Sequence, residues 1–204
     1  MKVLFQGDSI TDMGRNRDDI HEMGNGYPLY ASKLLKEKYP DAEFINLGIS
    51  GNRTRDLVER WDTDCIEIQP DLVSILIGIN DTWRAFDSND PTDNETFERN
   101  YRNILERTKK ETNAKILILE PFLTEADPNK ACFRPDLDPK ILIVRKLARE
   151  YADAFIPLDG LIAAGCVGKD GHEPSFYAPD SVHPSPEGAS YIAKYYADAA
   201  EKLI

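Results

Sequence analysis

Residues 2–6, Lys-Val-Leu-Phe-Gln, form a short apolar run, and Gly7-Asp8-Ser9-Ile10-Thr11 follows it directly. The run lacks the polar alternation of a half-exposed strand, so it is typical of a strand buried on both faces. Four similar runs recur along the chain, at Glu43–Leu47, Leu72–Ile77, Lys115–Leu119 and Ala154–Leu158. We therefore predict five buried strands.

Helical patterns separate and follow these strands. Apolar residues spaced three and four apart predict helices through Phe97–Thr108, Ile141–Tyr151 and Ala189–Leu203, with shorter ones at Tyr27–Lys38 and Thr54–Trp61. Thr92-x-x-Glu95 matches a capping box ahead of the first of these. Ser185 and Pro186 suit the N-cap and first position of the last helix.

Strand and helix alternate along the whole chain, with no internal repeat or linker. Each parallel crossover needs a covering helix, so this order predicts one α/β domain over residues 1–204, a parallel sheet with helices on both faces. Four segments fit neither pattern: Thr11–Gly26, Arg84–Asp93, Pro121–Asp138 and Leu161–Pro179. Ligands of open α/β sheets bind outside the carboxyl ends of the strands, so we expect functional residues directly after strands.

The composition excludes several classes of protein. The 204 residues are 41% hydrophobic and 30% charged, and the net charge of −11 disfavours nucleic acid and anionic membranes as partners. No apolar stretch approaches the roughly 18 residues of a membrane span, and we expect a cytoplasmic protein. Its three cysteines form no CxxC pair, which favours reduced thiols over disulfides or a zinc site.

The residues that follow the strands combine into a serine acyl-transfer site. Ser9 follows the first strand, and Asp180-Ser181-Val182-His183 precedes the last helix. A serine hydroxyl is a poor nucleophile until a histidine accepts its proton, and that histidine needs a carboxylate to hold its tautomer. Asp180 and His183, three residues apart on a turn, provide this pair, and His183 is placed to reach Ser9.

The intermediate of such a reaction needs hydrogen-bond donors for its oxyanion. The candidates are the N–H of Ser9, a backbone N–H in the loop after the second strand, and the amide of Asn80 after the third. In the second loop both Gly48 and Gly51 remain open. Asp81 is assigned a structural role, capping the helix that follows it, and Asp8 is expected to brace its loop by hydrogen bonds.

Four blocks carry a family resemblance: Gly7–Asp12, Gly48–Asn52, Gly78–Arg84 and Asp180–Ser185. They resemble those of the SGNH, or GDSL-type, hydrolases, most closely the bacterial acetyl-xylan-esterase branch. The resemblance implies Ser9 as nucleophile, His183 as base, Asp180 as its partner, and Gly51 and Asn80 in the oxyanion hole. It also implies a flavodoxin-like three-layer α/β/α sandwich with a five-stranded parallel sheet, a shallow site, no metal or cofactor, and homo-oligomers in some members. Ile79 stands where the family often has a small residue.

The other histidines favour no metal site. Asp18-x-x-His21 repeats the spacing of Asp180-x-x-His183, but His21 lies in a polar loop and His172 in another, so both are expected at the surface. None of the three histidines is paired at helical spacing, which disfavours a metal-dependent hydrolase.

Trp83, Arg84 and Phe122 follow the third and fourth strands and are candidates to wall the substrate pocket, with core packing as the alternative for the aromatics. The charged loops favour a short acyl group, first of all acetyl, on a polar alcohol such as a xylo-oligosaccharide. A lysophospholipase or acyl-thioesterase using the same residues is the nearest alternative. A non-catalytic flavodoxin-like domain that binds a phosphate ligand at Gly7–Thr11 is the alternative from another class.

Overall fold

The computed structural model describes residues 1–204. At its centre lie five strands: β1 (Lys2–Gly7), β2 (Glu43–Asn46), β3 (Leu72–Leu76), β4 (Lys115–Leu119) and β5 (Ala154–Ile156). Every neighbouring pair is parallel, in the order β2-β1-β3-β4-β5. The predicted five-stranded parallel sheet is confirmed, and each strand end lies within two residues of its predicted position.

Nine α-helices surround the sheet: α1 (Ser9–Asp12), α2 (Tyr27–Lys38), α3 (Thr54–Trp61), α4 (Ile79–Asp87), α5 (Asn94–Glu111), α6 (Arg134–Tyr151), α7 (Leu158–Gly165), α8 (Pro174–Tyr177) and α9 (Pro186–Ala200). A π-helical segment (Asp62–Ile66) extends α3, and a 3-10 helix (Pro128–Phe133) precedes α6. None of these helices is long and apolar enough to cross a membrane. The three cysteines are free.

The sheet separates two apolar cores. Successive side chains of a strand face opposite sides, so Val3 and Phe5 of β1 pack in the core beneath α2 and α9, whereas Leu4 packs in the core beneath α3 and α5. Burial of the sheet on both faces explains why its strands show no polar alternation. The predicted α/β/α sandwich is therefore confirmed.

The structure corrects the predicted cap of α5. The capping box at Thr92 and Glu95 is wrong, because α5 begins one residue later and its N-cap is Asp93, which accepts the N–H of Thr96 at 2.7 Å. Thr92 is buried and lies outside the helix. The N-cap of α9 is Ser185, followed by Pro186, as predicted.

All four segments expected to lack helix or strand are partly helical, although Thr11–Gly26 contains only the end of α1. Arg84–Asp93 contains the end of α4, Leu161–Pro179 contains most of α7 and all of α8, and Pro121–Asp138 contains the 3-10 helix and the start of α6. The four residues of α8 are too few for a periodic pattern, and α7 has Asp159 as its only charged residue, so it shows little contrast between a polar and an apolar face.

Candidate active site

Ser9, His183 and Asp180 form one chain of hydrogen bonds at the carboxyl edge of the sheet. Ser9 Oγ lies 2.8 Å from His183 Nε2, and His183 Nδ1 lies 2.7 Å from Asp180 Oδ2. Ser9 is the first residue of α1, directly after β1, and 174 positions separate it from His183. The fold thus brings together the three residues that the sequence placed at one rim.

The loop before α9 holds Asp180 and His183 in this arrangement. Asp180 Oδ1 accepts the backbone N–H groups of Val182 at 3.0 Å and His183 at 2.7 Å. Burial alone would raise the pKa of Asp180, but the hydrogen bonds from the His183 side chain and from the two backbone groups hold that pKa far below its ordinary value. The carboxylate therefore stays ionised and fixes His183 with Nε2 toward Ser9.

The carboxylate also acts on the charge state of His183. Its hydrogen bond to Nδ1 raises the pKa of His183 above 6.5, and partial burial of the ring opposes that rise. In the neutral imidazole Nδ1 is the donor to Asp180, so Nε2 accepts the hydroxyl proton of Ser9. The arrangement can generate an activated serine at neutral pH.

Gly48 and Gly51 have different environments in the loop after β2. The N–H of Gly48 donates to Asn46 at 2.9 Å, and a Cβ on Gly48 would lie 2.5 Å from the backbone nitrogen of Asp12. Gly51 has a φ of +86°, open space around its Cα, and an N–H with no hydrogen-bond partner in the protein. Gly48 is thus a packing glycine, and Gly51 has the free donor.

Asn80 lies in the first turn of α4 and is 3% exposed. Its Nδ2 donates to the carbonyl of Asn52 at 3.1 Å, and Arg84 donates to its Oδ1 at 3.5 Å. These two contacts orient the amide and leave one of its N–H groups free. The N–H of Ser9, at the first position of α1, also has no partner within that helix.

Asp81 does not cap the helix that follows Asn80, because it lies inside α4. Its carboxylate instead accepts the N–H of Thr54 at 3.0 Å and the Thr54 hydroxyl at 2.7 Å, at the start of α3. Burial raises the pKa of Asp81 to about 6. Its role is to join α4 to the start of α3.

Two aspartates brace the loop that carries Ser9. Asp8 is fully buried, accepts the N–H of Ile10 at 3.0 Å, and has its pKa raised by burial to about 7. Asp12, which the sequence did not single out, accepts both the N–H and the hydroxyl of Ser50 at 2.9 Å. Burial would raise the pKa of Asp12, but hydrogen bonds from Arg17 and Ser50 lower it. Asp12 thereby ties the Ser9 loop to the loop of Gly51.

The three residues predicted to line the substrate pocket have different environments in the structure. The half-buried Trp83 ring lies with its centroid 6.0 Å from that of His183, beside the site. Arg84 pairs with Asp87 and contacts Asn80. Phe122 is 1% exposed and packs in the core beneath α2 and α9, so the expectation that it walls the pocket is wrong.

The site is open to solvent, since the side chains of His183 and Asp180 are 36% and 42% exposed. The main surface cavities have volumes of about 270 to 670 Å³, and none is lined by Ser9, Asn80 or His183. His21 is half-exposed beside Glu43, and His172 stacks on Phe176, away from the triad. No group of three or more His, Cys, Asp or Glu side chains is arranged to hold a metal ion.

The chain is similar to known proteins in sequence and in fold. The model of the GDSL-like lipase/acylhydrolase family matches residues 5–190. An acetylxylan esterase of Geobacillus stearothermophilus is 36% identical over 96% of this chain and 91% of its own length. A solved structure of such an esterase from that organism has a TM-score of 0.82 at 33% identity, covering 97% of this chain and 92% of its own. A protein of Parabacteroides merdae, provisionally described as a GDSL-like lipase, has a TM-score of 0.91 at 33% identity, covering 100% and 96%.

Mutant structures of the Geobacillus esterase carry further information. Variants in which a serine, an aspartate or a histidine is replaced by alanine are described as catalytic mutants, and the aspartate and histidine are three positions apart. Another mutant structure describes the enzyme as an acetyl-xylooligosaccharide esterase.

Proposed function

This chain belongs to the GDSL-like lipase/acylhydrolase family and is a carboxylic ester hydrolase, and from that premise we propose that it removes acetyl groups from acetylated carbohydrates, with Ser9 as the nucleophile. The observation that carries the proposal is the hydrogen-bonded chain from Ser9 through His183 to Asp180, with contacts of 2.8 and 2.7 Å. The same aspartate-to-histidine spacing recurs in the Geobacillus esterase, which supports these roles. Family membership also disfavours the alternative of a non-catalytic phosphate-binding domain.

The reaction proceeds through an acyl-enzyme. His183 Nε2 takes the proton of Ser9 as its Oγ attacks the ester carbonyl, and Asp180 stabilises the imidazolium that forms. The imidazolium then gives its proton to the departing alcohol oxygen, and the ester bond to the alcohol breaks. Water, deprotonated by His183, attacks the acyl-enzyme. The bond from the acyl carbon to Ser9 Oγ then breaks, the imidazolium returns its proton to Oγ, and the acetic acid leaves as acetate with its proton lost to solvent.

The oxyanion of both tetrahedral intermediates is stabilised by three donors: the N–H groups of Ser9 and Gly51 and the amide of Asn80. Each has a free N–H, and the Asn80 amide is held by Asn52 and Arg84 before substrate arrives. Donors fixed in advance need no reorganisation as charge develops, which is the basis of their effect.

Two features support acetyl esters of sugars as the substrate class. None of the main surface cavities is lined by Ser9, Asn80 or His183, so no large apolar cavity opens there for a long acyl chain, which favours a small acyl group. The Trp83 ring lies beside His183 and is only half-buried, so an aromatic side chain borders the site where a sugar would bind. The relatives named as acetylxylan esterases are consistent with this assignment.

Intact mass after exposure to a fluorophosphonate tests the nucleophile. The wild type should gain one label, Ser9→Ala should gain none, and Ser190→Ala, which removes an exposed serine of α9, should label like the wild type. Retention of the label in Ser9→Ala would overturn the mechanism.

Hydrolysis of matched acetyl, butyryl and octanoyl esters, followed by acetate release from acetylated xylo-oligosaccharides, tests the substrate. The rate should fall as the acyl chain lengthens, and the oligosaccharide should release acetate. A preference for octanoyl esters would instead identify the lysophospholipase or acyl-thioesterase alternative.

A further inference from the structure

The segment after β4 lies against the loop that carries Asp180 and His183. We call residues 124–130 the brace segment and residues 178–183 the acid–base loop. Thr124 donates its N–H to the carbonyl of Ser181 at 2.9 Å and its hydroxyl to the carbonyl of Ala178 at 3.2 Å. The N–H of Asp127 donates to the Ser181 hydroxyl at 2.7 Å. The acid–base loop is therefore anchored from outside itself.

The conformation of the acid–base loop explains why an anchor is needed. Ser181 lies between Asp180 and His183 with a φ of +73°, in the left-handed region that residues with a Cβ rarely adopt. The loop is neither helix nor strand, so no regular backbone hydrogen bonding holds it. Contacts from the brace segment must therefore help to maintain this turn.

Lys130 makes the contact closest to the acid–base pair. Its Nζ donates to the backbone carbonyl of Asp180 at 2.7 Å and to Asp127 Oδ2 at 3.1 Å. The same ammonium lies 5.0 Å from the centroid of the Trp83 ring. The Lys130 side chain is 14% exposed, so it is a largely buried lysine held at three points rather than a solvated surface charge.

The charge of Lys130 also reaches His183. The charged groups that face the imidazole are Asp180 of its own loop, Asp8 at the start of α1 and Lys130 of the 3-10 helix, and the uncharged Trp83 ring lies beside it. Asp180 and Asp8 favour the imidazolium, whereas Lys130 disfavours it and lowers the pKa of His183. Removal of the Lys130 charge by itself, with the Asp180–His183 hydrogen bond intact, would therefore raise the pKa of His183.

We propose that Lys130 is a positioning residue of the esterase site: its ammonium holds the Asp180 backbone, and with it the hydrogen bond from Asp180 to His183, while resting against Trp83. The proposal rests on the proposed function, because it assigns Lys130 a role in the same acyl transfer. Lys130 touches no reacting atom and acts through Asp180 and His183.

The test compares Lys130→Met, Lys130→Arg and Asp127→Asn with the wild type on an acetyl ester between pH 5 and 9. Lys146→Met serves as a matched control, since Lys146 also makes an ion pair, to Glu98 at 2.8 Å, but is half-exposed and distant in the fold. Circular dichroism and thermal unfolding measure how much of each variant is folded. Fluorophosphonate labelling of the wild type and Ser9→Ala tests the nucleophile in the same experiment.

Lys130→Met should lower kcat by on the order of ten- to a hundredfold per folded molecule with little change in KM, because the reacting groups are misplaced. Its acidic limb should move to lower pH, because weakening the hydrogen bond from Asp180, the largest contribution to the raised pKa of His183, outweighs the loss of the opposing Lys130 charge. A move to higher pH would show that only the charge of Lys130 acts on His183 and would refute the positioning role. Lys130→Arg should restore the limb and most of kcat, Asp127→Asn should lose less than Lys130→Met, and Lys146→Met should match the wild type.

The possible failures can be distinguished. If the wild type labels at Ser9 and Lys130→Met keeps the wild-type kcat and acidic limb, the positioning role is refuted and the proposed function stands. A loss of activity that merely follows the loss of folded protein, with an unmoved limb in the folded fraction, also refutes it. If the wild type takes no label, the proposed function itself fails.

Discussion

Replacement of Asp180 by asparagine should lower kcat by roughly four orders of magnitude while preserving the fold. Asparagine has the shape of aspartate, and its oxygen can keep the two backbone hydrogen bonds that Asp180 Oδ1 accepts from Val182 and His183. Its NH2 group would then face His183 Nδ1, which now lies 2.7 Å from Asp180 Oδ2. Two donors cannot share that contact, so the imidazole would carry its proton on Nε2.

The changed tautomer of His183 prevents the activation of Ser9. With a proton on Nε2, the atom 2.8 Å from Ser9 Oγ can no longer accept the hydroxyl proton. The imidazolium of the transition state also loses its carboxylate partner. Four orders of magnitude correspond to about 5 kcal/mol of lost transition-state stabilisation.

The pH profile gives this prediction a second, independent readout. In the wild type, Asp180 raises the pKa of His183 above 6.5, so kcat/KM should fall as pH drops through a value above about 6.5. In Asp180→Asn the partner that favours the imidazolium is gone, and the acidic limb of the residual activity should move to lower pH.

Steady-state hydrolysis of an activated acetyl ester over pH 5 to 9 measures both effects. Asp198→Asn, at an exposed position of α9, is a matched control and should behave like the wild type. A folded Asp180→Asn protein that retains more than about a tenth of wild-type kcat, or whose acidic limb does not move, would refute this reasoning about Asp180 and His183.

Two further predictions concern the oxyanion donors. Asn80→Ala should cost on the order of 3 kcal/mol of transition-state stabilisation, seen as a large fall in kcat with KM nearly unchanged; a fall confined to KM would contradict the role. Gly48→Ala should lower the thermal midpoint more than Gly51→Ala, because its Cβ would lie 2.5 Å from the Asp12 nitrogen while Gly51 has open space. Gly51→Ala strains a backbone at φ +86° and should chiefly lower kcat; equal midpoints for the two variants would count against this division.

Local patterns in the sequence were sufficient for much of the fold. The five strands are buried on both faces, and a short apolar run records that burial directly. The bounds of α2 and α3 and the Ser185 cap of α9 also agree with the sequence, because helix periodicity and caps depend on residues within a few positions. The α5 cap was misplaced because Thr92 and Asp93 are both good capping residues, and only the observed hydrogen bond from the Thr96 N–H to Asp93 distinguishes them.

The motifs predicted the catalytic residues of the site, but they did not predict the packing and hydrogen bonds around those residues. Ser9 comes just after the first predicted strand, and the Asp180-x-x-His183 pair comes just before the last predicted helix. In a parallel α/β sheet both positions are expected at the carboxyl edge of the strands. Nothing local indicates that the Gly48 N–H is occupied by Asn46 or that Phe122 turns into the core. These outcomes depend on packing between segments that are distant in the chain.

Lys130 illustrates the difference between what the sequence determines and what only the tertiary structure determines. The sequence by itself determined the strand and helix order and which residues could form an acyl-transfer site, since both depend on short-range patterns of apolar, turn and catalytic residues. Only the tertiary structure decided that Lys130, 50 positions from Asp180, reaches its carbonyl and lies over Trp83. The physical reason is that such contacts form only when the helical connections between strands bring distant segments of the chain together. No local pattern of residues encodes those contacts.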